Sequence, residues 1–206
     1  MSIPKNHYFD PTPSVASRPR SVKLRLAGDE ALDLATDRGV FGYRGVDLGT
    51  AVLLREAPAP PASGDVLDLG AGYGPIAIAL ARRSPAAVVW AVDVNERAVE
   101  LCALNAEAAG LRNVRSCRPE EVPAGLRFAA IYSNPPVRVG KAALHGLLEA
   151  WLERLLPEGH AYLVVQRNLG SDSLAKWLVE AGYPVRRLKS KKGYRVLEVS
   201  PKAAAG

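Results

Sequence analysis

The sequence predicts an α/β fold built on a doubly wound, mostly parallel sheet. From residue 65 onward, short apolar runs alternate with longer amphipathic runs, and strands that alternate with helices are typical of βαβ crossovers. A glycine-rich turn follows the first of these apolar runs, and folds of this class bind ligands beyond the carboxyl ends of their strands. The 206 residues, 48% of them hydrophobic, are enough for one large domain with a small extension.

The N-terminal part, residues 1–57, is predicted to be an arm followed by a β-hairpin, and residues 58–206 are predicted to be the main domain. Four prolines within residues 1–20 indicate an extended arm. Residues 22–26 alternate apolar and basic side chains, which predicts a half-exposed strand. A turn at residues 28–30 would return the chain as a second strand over residues 31–36. A short helix at 51–57 and a Pro/Ala-rich linker at 58–64 follow.

The main domain is predicted to contain alternating strands and helices that end in a basic hairpin. Pro75 suits the first turn of a helix, Asn95 suits an N-cap, and Leu104 is placed on the apolar side of the helix that follows it. Pro157 and Gly159 are expected to stop the third helix. The strands are predicted at 66–69, 88–92, 113–117, 127–133, 161–166, 183–188 and 194–199, and the later helices at 96–109, 141–156 and 171–181.

A glycine loop after the first strand of this domain predicts a nucleoside-cofactor site. Glycines at this point let the backbone approach a ligand closely, and Asp93, at the end of the next strand, is placed to accept the hydroxyls of a ribose. A dinucleotide fingerprint is GxGxxG, whereas this loop is GxGxG directly after Asp68. A carboxylate disfavours a pyrophosphate and favours a cation. The pattern therefore favours S-adenosylmethionine, which carries a sulfonium and an ammonium, over a nicotinamide dinucleotide.

The tetrapeptide Ser133-Asn134-Pro135-Pro136 ends an apolar run and is the candidate catalytic strap. Each proline removes a backbone donor and fixes φ, and each pushes the residue before it out of the helical region. The strap is thus expected to be stiff and rich in acceptors, which suits recognition of an NH₂ group. The alternative is a plain strand-terminating turn.

Three segments resemble the small MTS-type methyltransferases, and most closely the RsmC-type enzymes that methylate guanine N2 in 16S ribosomal RNA. The segments are Asp68–Gly74, Val92–Asn95 and the strap. The resemblance implies a short, single-domain version with a Rossmann-like, seven-stranded methyltransferase fold, S-adenosylmethionine as cofactor, and Asn134, Pro135 and Pro136 as catalytic residues. The cofactor-binding residues that it implies are Asp68, Gly70, Ala71, Gly72, Gly74, Asp93, Val94, Asn95, Phe41, Asp47, Gly49, Thr50 and Glu120.

The chain departs from this family pattern at two places. Val137 stands where an aromatic residue often stacks on the target base, so stacking must come from elsewhere or the base is held by its edges. Cys117-Arg118-Pro119-Glu120-Glu121 stands where an Asp commonly meets the adenine amino group, so Glu120 or Glu121 would take that place.

The charge of +6 and the pI near 9.5 favour an acidic partner, with RNA as the leading candidate. The two isolated cysteines, three scattered histidines and lack of a long apolar run predict no metal, no membrane and a cytoplasmic location. The resemblance implies ribosomal RNA or the small ribosomal subunit as partner, and a monomer is favoured. The substrate-binding candidates are Val137, Arg138, Lys141, Arg186, Arg187, Lys189, Lys191, Lys192 and Arg195.

The predicted reaction is methyl transfer to an exocyclic amine, and the resemblance implies that this amine is guanine N2. The Asn134 side-chain oxygen and the Pro135 carbonyl would accept hydrogen bonds from the two N–H groups of that amine. Two alternatives stay open: methylation of a protein glutamine amide, and an S-adenosylmethionine-binding RNA or ribosome-assembly factor with little turnover. A nicotinamide oxidoreductase is disfavoured by the glycine spacing and by Asp68.

Overall fold

The computed structural model of the protein describes residues 15–26 and 30–203. Most of the predicted arm (residues 1–14) and most of the predicted turn (residues 28 and 29) lie outside the described residues. The strands form a two-stranded and a seven-stranded sheet. In chain order they are β1 Arg20–Arg25, β2 Ala31–Thr36, β3 Ser63–Leu69, β4 Ala86–Val92, β5 Val114–Cys117, β6 Phe128–Ser133, β7 Leu155–Gln166, β8 Val185–Lys191 and β9 Tyr194–Val199.

The large sheet has the order β5-β4-β3-β6-β7-β9-β8. Strands β3 to β7 run parallel to one another, and β9 runs antiparallel between β7 and β8. The predicted α/β class and mostly parallel seven-stranded sheet are confirmed. The chain adds β4 and β5 on one side of β3 and then β6 and β7 on the other side, so the strand order reverses between β3 and β6. These two strands are neighbours, and Leu69 pairs with Ser133. This switch point places the residues after Leu69 beside those after Ser133, where open α/β sheets bind ligands.

Five helices cover the two faces of the large sheet. Because successive strand side chains point to opposite faces, Val66 joins one buried cluster with α1, α2 and α3, and Leu67 joins a second with α4 and α5. None of these described helices is long and apolar enough to cross a membrane. The helices are α1 Leu48–Glu56, α2 Pro75–Arg83, α3 Glu96–Ala108, α4 Lys141–Leu152 and α5 Ser171–Glu180.

A buried asparagine hydrogen-bonds the N-terminal hairpin to the helices that cover the large sheet, beside the apolar side chains that the hairpin adds to the same core. Asn105 on α3 accepts a hydrogen bond from the backbone N–H of Ala35 at 2.7 Å and donates to the carbonyls of Ala35 and Tyr73, both at 2.8 Å. The prediction that Leu104 belongs to the buried side of this helix is wrong, because Leu104 is 57% exposed. The helix turns Asn105 inward instead, since its amide satisfies backbone groups of β2 and of the loop before α2.

The prediction of a helix over residues 141–156 is also wrong in its second half. The helix ends at Leu152 and β7 begins at Leu155, six residues before the predicted strand. Leu155 pairs with Phe128 and His160 pairs with Ala130, so residues 156–159 stand opposite residue 129 alone as an irregular bulge of four residues. Pro157 and Gly159, expected to stop a helix, instead lie in this bulge, where a missing ladder hydrogen bond is tolerated. The other predicted boundaries agree with the structure within three residues.

Candidate active site

A narrow cleft lies beyond the carboxyl ends of β3 and β6. It brings together three segments that are distant in sequence: the chain before and within α1, the glycine loop after β3, and the strap after β6. Most of these residues were predicted to belong to one site, and Gly42, Tyr73, Pro75 and Ile76 were not. The lining residues are Phe41, Gly42, Asp47, Thr50, Gly70, Ala71, Gly72, Tyr73, Pro75, Ile76 and Asn134.

The glycine loop is tied back to the sheet so that one of its faces stays open. The backbone N–H groups of Gly70 and Ala71 donate to the carbonyl of Val92 at 2.9 and 3.1 Å. Gly70 has a φ of 78°, which favours glycine, and a Cβ added there would meet nothing within 4 Å. A Cβ at Gly74, by contrast, would lie 2.6 Å from the Sγ atom of Cys102. Glycine at 74 therefore permits close packing of α2 on α3, whereas Gly70 leaves an open approach for a ligand.

Asp68 is a fully buried carboxyl group at the base of this loop. Its Oδ2 atom accepts a hydrogen bond from the N–H of Ala77 at 2.8 Å, and its Oδ1 atom has no partner among the described residues. Burial raises the pKa of Asp68 to about 8; the Ala77 N–H opposes this shift, and Asp93 adds to it. A buried acceptor without a donor fits a ligand that brings a positive charge. The residues present therefore fit a cationic cofactor.

Asp93 holds the glycine loop and the start of α3. Its Oδ2 atom accepts from the N–H of Gly72 at 2.8 Å, and its Oδ1 atom accepts from the N–H of Asn95 at 2.9 Å. Burial raises the pKa of Asp93, and these backbone donors oppose the shift. The backbone N–H of Val94 is a third donor to this carboxylate, which leaves about one of its four lone pairs for a ligand. The predicted contact with ribose hydroxyls stays a prediction. As expected, Asn95 is the N-cap of α3, and its side chain accepts from the N–H of Ala98.

The segment before α1 is fastened over the cleft by side chains from the start of α3. Asn95 donates to the carbonyl of Gly39 at 2.9 Å, and Arg97 donates to the carbonyl of Arg38 at 2.6 Å. Arg97 also pairs with Asp37 at 3.7 Å. These contacts place Phe41, 43% exposed, beside the glycine loop. Sequence reasoning missed Arg97, because its contacts join residues about 60 positions apart and no local pattern marks them.

Asp47 caps α1 and also contacts the strap. Its Oδ2 atom accepts from the N–H of Gly49 at 2.7 Å and from the N–H of Thr50 at 3.3 Å. The Nδ2 atom of Asn134 donates to the same Oδ2 at 2.9 Å and to the Thr50 Oγ1 atom at 3.2 Å. A Cβ at Gly49 would lie 2.8 Å from the Tyr194 ring. Glycine at 49 thus lets β9 pack against the first turn of α1.

The strap continues as a short 3₁₀ turn that leads away from the cleft. The carbonyl of Pro135 accepts from the N–H of Val137 at 2.8 Å, and the carbonyl of Pro136 accepts from the N–H of Val139 at 3.1 Å. A carbonyl oxygen has two lone pairs, so Pro135 keeps one for a further donor. Val137 does not line the cleft but a separate recess of about 370 Å³, which Lys141 and His145 also line.

Glu120 is not among the residues that line the cleft. It is exposed, and its carboxylate pairs with the Arg118 guanidinium at 2.6 Å. The neighbouring Glu121 accepts from the N–H of Arg118, also at 2.6 Å. The predicted contact of Glu120 with the cofactor therefore stays a prediction. In the described ranges, no group of three or more His, Cys, Asp or Glu side chains could hold a metal ion.

The predicted basic surface divides into paired and unpaired charges. In the part of the chain that the structure describes, Arg138, Lys141, Lys189 and Lys192 form no ion pair. The other four basic candidates lie on β8 and β9 and are each paired with a carboxylate. These pairs are Arg186 with Glu198 at 2.6 Å, Arg187 with Asp172 at 2.9 Å, Arg195 with Asp172, and Lys191 with Glu56 at 3.4 Å.

Comparison with known proteins gives a family match over most of the chain. Residues 31–198 match the family described as Methyltransferase small domain. The chain is 35% identical over 195 residues to YbxB, an uncharacterized protein of Bacillus subtilis (strain 168), and the match covers 93% of this chain and 96% of YbxB. It is 34% identical over 188 residues to the Ribosomal RNA small subunit methyltransferase C of Pseudomonas aeruginosa (strain LESB58), covering 89% of this chain and 55% of that protein.

Among solved structures, the chain is similar to the T. thermophilus 16S rRNA N2 G1207 methyltransferase (RsmC) in complex with AdoMet and guanosine. The TM-score is 0.75 and the sequence identity is 28%, and the match covers 92% of this chain and 52% of that one. The chain therefore spans about half the length of the RsmC proteins that it matches.

Proposed function

The chain belongs to the methyltransferase small domain family, and on that premise we propose that it transfers a methyl group from S-adenosylmethionine to guanine N2 of 16S ribosomal RNA. The similarity to RsmC proteins of P. aeruginosa and T. thermophilus supports this substrate, and the AdoMet in the T. thermophilus structure supports the cofactor. The observation that carries the proposal is the position of Asn134, whose amide lines one cleft with the glycine loop.

The cofactor is proposed to bind along the glycine loop. When bound, S-adenosylmethionine supplies a methyl group activated by a positively charged sulfur. The open face of Gly70, with Ala71 and Gly72 beside it in the cleft lining, would receive its methionine end, and the unpartnered Oδ1 atom of Asp68 would face its ammonium. Further residues are proposed to bind the nucleoside or to close the cleft over it. They are Asp93, Val94 and Asn95 on one side and Phe41, Asp47, Gly49 and Thr50 on the other.

The strap is proposed to prepare the acceptor nitrogen. An aromatic amine is a poor nucleophile because its lone pair is delocalised into the ring. If the Asn134 Oδ1 atom and the Pro135 carbonyl accept hydrogen bonds from the two N–H groups of the amine, its lone pair is left pointing toward the methyl group. Pro136 keeps the strap stiff, because its ring fixes φ. The main contribution of the protein would be alignment of the amine, aided by carbonyl dipoles where positive charge develops.

In the proposed transfer the new N–C bond would form as the methyl–sulfur bond of the cofactor breaks, with the neutral thioether as leaving group. No strong base is required before attack, because the amine nitrogen becomes positively charged only as the N–C bond forms. Its proton then becomes acidic and can leave to water. Asn134 has no proton to accept or to give in this scheme; its oxygen acts as a hydrogen-bond acceptor throughout. The expected signature is a loss of turnover on removal of Asn134, without loss of cofactor binding.

The RNA is proposed to follow the unpaired basic residues near the strap. Arg138 and Lys141 come directly after it and are placed to meet a phosphate, while Lys189 and Lys192 extend the same charge along the final hairpin. Val137 would contact the RNA from the separate recess that it lines. A base within a duplex would have to leave its stack to reach Asn134. The carboxylate-paired residues Arg186, Arg187, Lys191 and Arg195 would contribute less.

The test is methyl transfer from labelled S-adenosylmethionine to unmodified ribosomal RNA and to 30S and 50S particles, followed by nucleoside analysis. We expect N2-methylguanosine in the 16S strand. We expect Asn134→Ala to lower turnover by at least about a hundredfold while the dissociation constant of S-adenosylmethionine changes less than about threefold. Equal loss of turnover and cofactor affinity would contradict the role of Asn134.

Other outcomes of the same assay identify the alternatives. Label on another nucleoside would keep the mechanism and overturn the guanine assignment. If protein substrates are added and their amino acids analysed as well, label on a glutamine and none on RNA would identify a protein glutamine methyltransferase. Cofactor binding without transfer to any RNA or protein would indicate a binding or assembly factor.

A further inference from the structure

We propose that Asp47 is a positioning residue that fixes the orientation of the Asn134 amide, so that its oxygen faces the acceptor amine. This inference rests on the proposed function, because it concerns the group that would bind the amine. A side-chain amide has one accepting end and one donating end. Only one of its two orientations can accept an N–H bond from a substrate, so whatever sets the orientation decides whether the site can work.

The contacts of Asn134 favour one orientation strongly. Its Nδ2 atom lies 2.9 Å from Asp47 Oδ2 and 3.2 Å from Thr50 Oγ1. A carboxylate can only accept, so a flipped amide would set two oxygen acceptors against each other at about the same separation. The Thr50 hydroxyl can accept or donate and would tolerate either orientation. Asp47 is therefore the residue that discriminates between them.

Asp47 can play this part because it is itself held in place. Its Oδ2 atom accepts two backbone N–H groups from the first turn of α1. The positive end of the helix dipole favours a carboxylate there. The turn is fixed in its surroundings, since Thr50 is buried and Gly49 packs closely under the Tyr194 ring. The N-cap of α1 is thus also the anchor of the catalytic strap, 87 residues away in sequence.

Two substitutions separate the anchoring role from the capping role. Ser and Asn both serve as N-caps. The hydroxyl of Asp47→Ser lies one bond closer to the backbone than a carboxylate oxygen, so it can cap α1 but cannot reach Asn134. The side chain of Asp47→Asn keeps an oxygen at the Oδ2 position, held by the same two N–H groups, and can still accept from Asn134. The two variants should therefore unfold at similar temperatures and differ at the strap.

The first readout is the side-chain amide resonance of Asn134 in a ¹⁵N–¹H spectrum, assigned by its absence in Asn134→Ala. We expect the two amide protons to shift in Asp47→Ser and to stay near their wild-type positions in Asp47→Asn. An unchanged resonance in Asp47→Ser would overturn the inference. This measurement needs no substrate, so it decides the inference even if the protein proves not to methylate RNA, an outcome that would overturn the proposed function alone.

The second readout is steady-state methyl transfer. We expect Asp47→Ser to lower kcat at least about tenfold, since small displacements of a positioned group are costly, and to change KM for S-adenosylmethionine by a smaller factor. Asp47→Asn should lower kcat by a smaller factor than Asp47→Ser does. In an Asn134→Ala background, Asp47→Ser should have no further effect, because coupled residues are not additive. A full tenfold effect in that background would also overturn the inference.

Discussion

Asp68 is expected to make the affinity for S-adenosylmethionine depend on pH. Burial raises the pKa of this carboxyl group to about 8, and Asp93 nearby adds to the shift. A bound ammonium requires the ionised form. Below pH 8 the free protein holds a proton on Asp68, and cofactor binding must release it. The affinity should therefore rise with pH as the proton becomes easier to remove.

The magnitude follows from the fraction of ionised Asp68. With a pKa of about 8, that fraction is about 1% at pH 6 and about 9% at pH 7, which predicts a rise in affinity of about ninefold. The amino group of the cofactor stays largely protonated below pH 7, because α-amino groups titrate near 8. The sign for stability is opposite. A raised carboxyl pKa stabilises the cofactor-free fold fully below about pH 4, and this contribution is lost as the pH rises through about 8.

Calorimetric titration at pH 6 and pH 7 measures the effect. Asp68→Asn removes the ionisable group and should show less than about a twofold change in affinity between these pH values. Methylthioadenosine lacks the amino and carboxyl groups of the cofactor and serves as the matched ligand control, with an affinity expected to be flat. The reasoning would be refuted by an equal affinity of the wild type at both pH values. It would also be refuted by a ninefold rise that persists in Asp68→Asn.

Two further predictions concern the hairpin junction and the basic surface. Asn105→Ala removes three hydrogen bonds that a buried side chain makes to backbone groups and should lower the free energy of unfolding by about 3 kcal/mol, measured by urea denaturation. A loss below about 1 kcal/mol would show that water replaces these bonds. Lys192→Ala should reduce the slope of log Kd for RNA against log salt concentration by about 1, the value for one lost phosphate contact. The paired residue Arg186, 2.6 Å from Glu198, provides the control, since Arg186→Ala should change that slope by less than half as much. Equal slopes for the two variants would show that ion pairing within the fold does not select the RNA contacts.

The fold and the family were predictable because their signals are local. The strand that precedes the glycine loop, the proline at the first turn of α2 and the N-cap at Asn95 each act on their own neighbours, and the structure confirms them. The match of residues 31–198 to the methyltransferase small domain family confirms the predicted resemblance. These motifs also lie where the strand order reverses, so their meeting in one cleft follows from the topology.

The end of α4 was not predictable from its own sequence. A proline and a glycine after an amphipathic run normally mark the end of a helix, and here the helix ends earlier. The deciding partner is β6: Leu155 pairs with Phe128, and a Cβ at Gly159 would lie 2.9 Å from the Phe128 carbonyl. Because this contact is made by a strand almost 30 residues earlier, it leaves no periodic signal near Gly159.

The residues of the site were mostly predictable, and the bonds between them were not. Motif reasoning selected Asp47, Thr50 and Asn134 as members of one pocket, and they do line one cleft. It gave no sign that Asp47 and Asn134 are hydrogen-bonded, because two polar side chains far apart in sequence carry no pattern for a shared atom. The pairing of basic side chains on β8 and β9 was equally hidden, since it depends on which carboxylates lie across the strands.

The contacts of the N-terminal segment bear on the predicted division of the chain at residue 57. That division stays a prediction, but residues from both sides of it line the cleft. One wall comes from residues before it, with Phe41 and Asp47, and the other from the glycine loop and the strap. Asn95 and Arg97 fasten the first wall, and Asn134 bonds to it directly. The switch point between β3 and β6 supplies a place for a ligand. A segment that precedes β3 in the chain forms the other wall of that cleft. The orientation of the candidate catalytic amide is therefore set by a helix outside the predicted main domain.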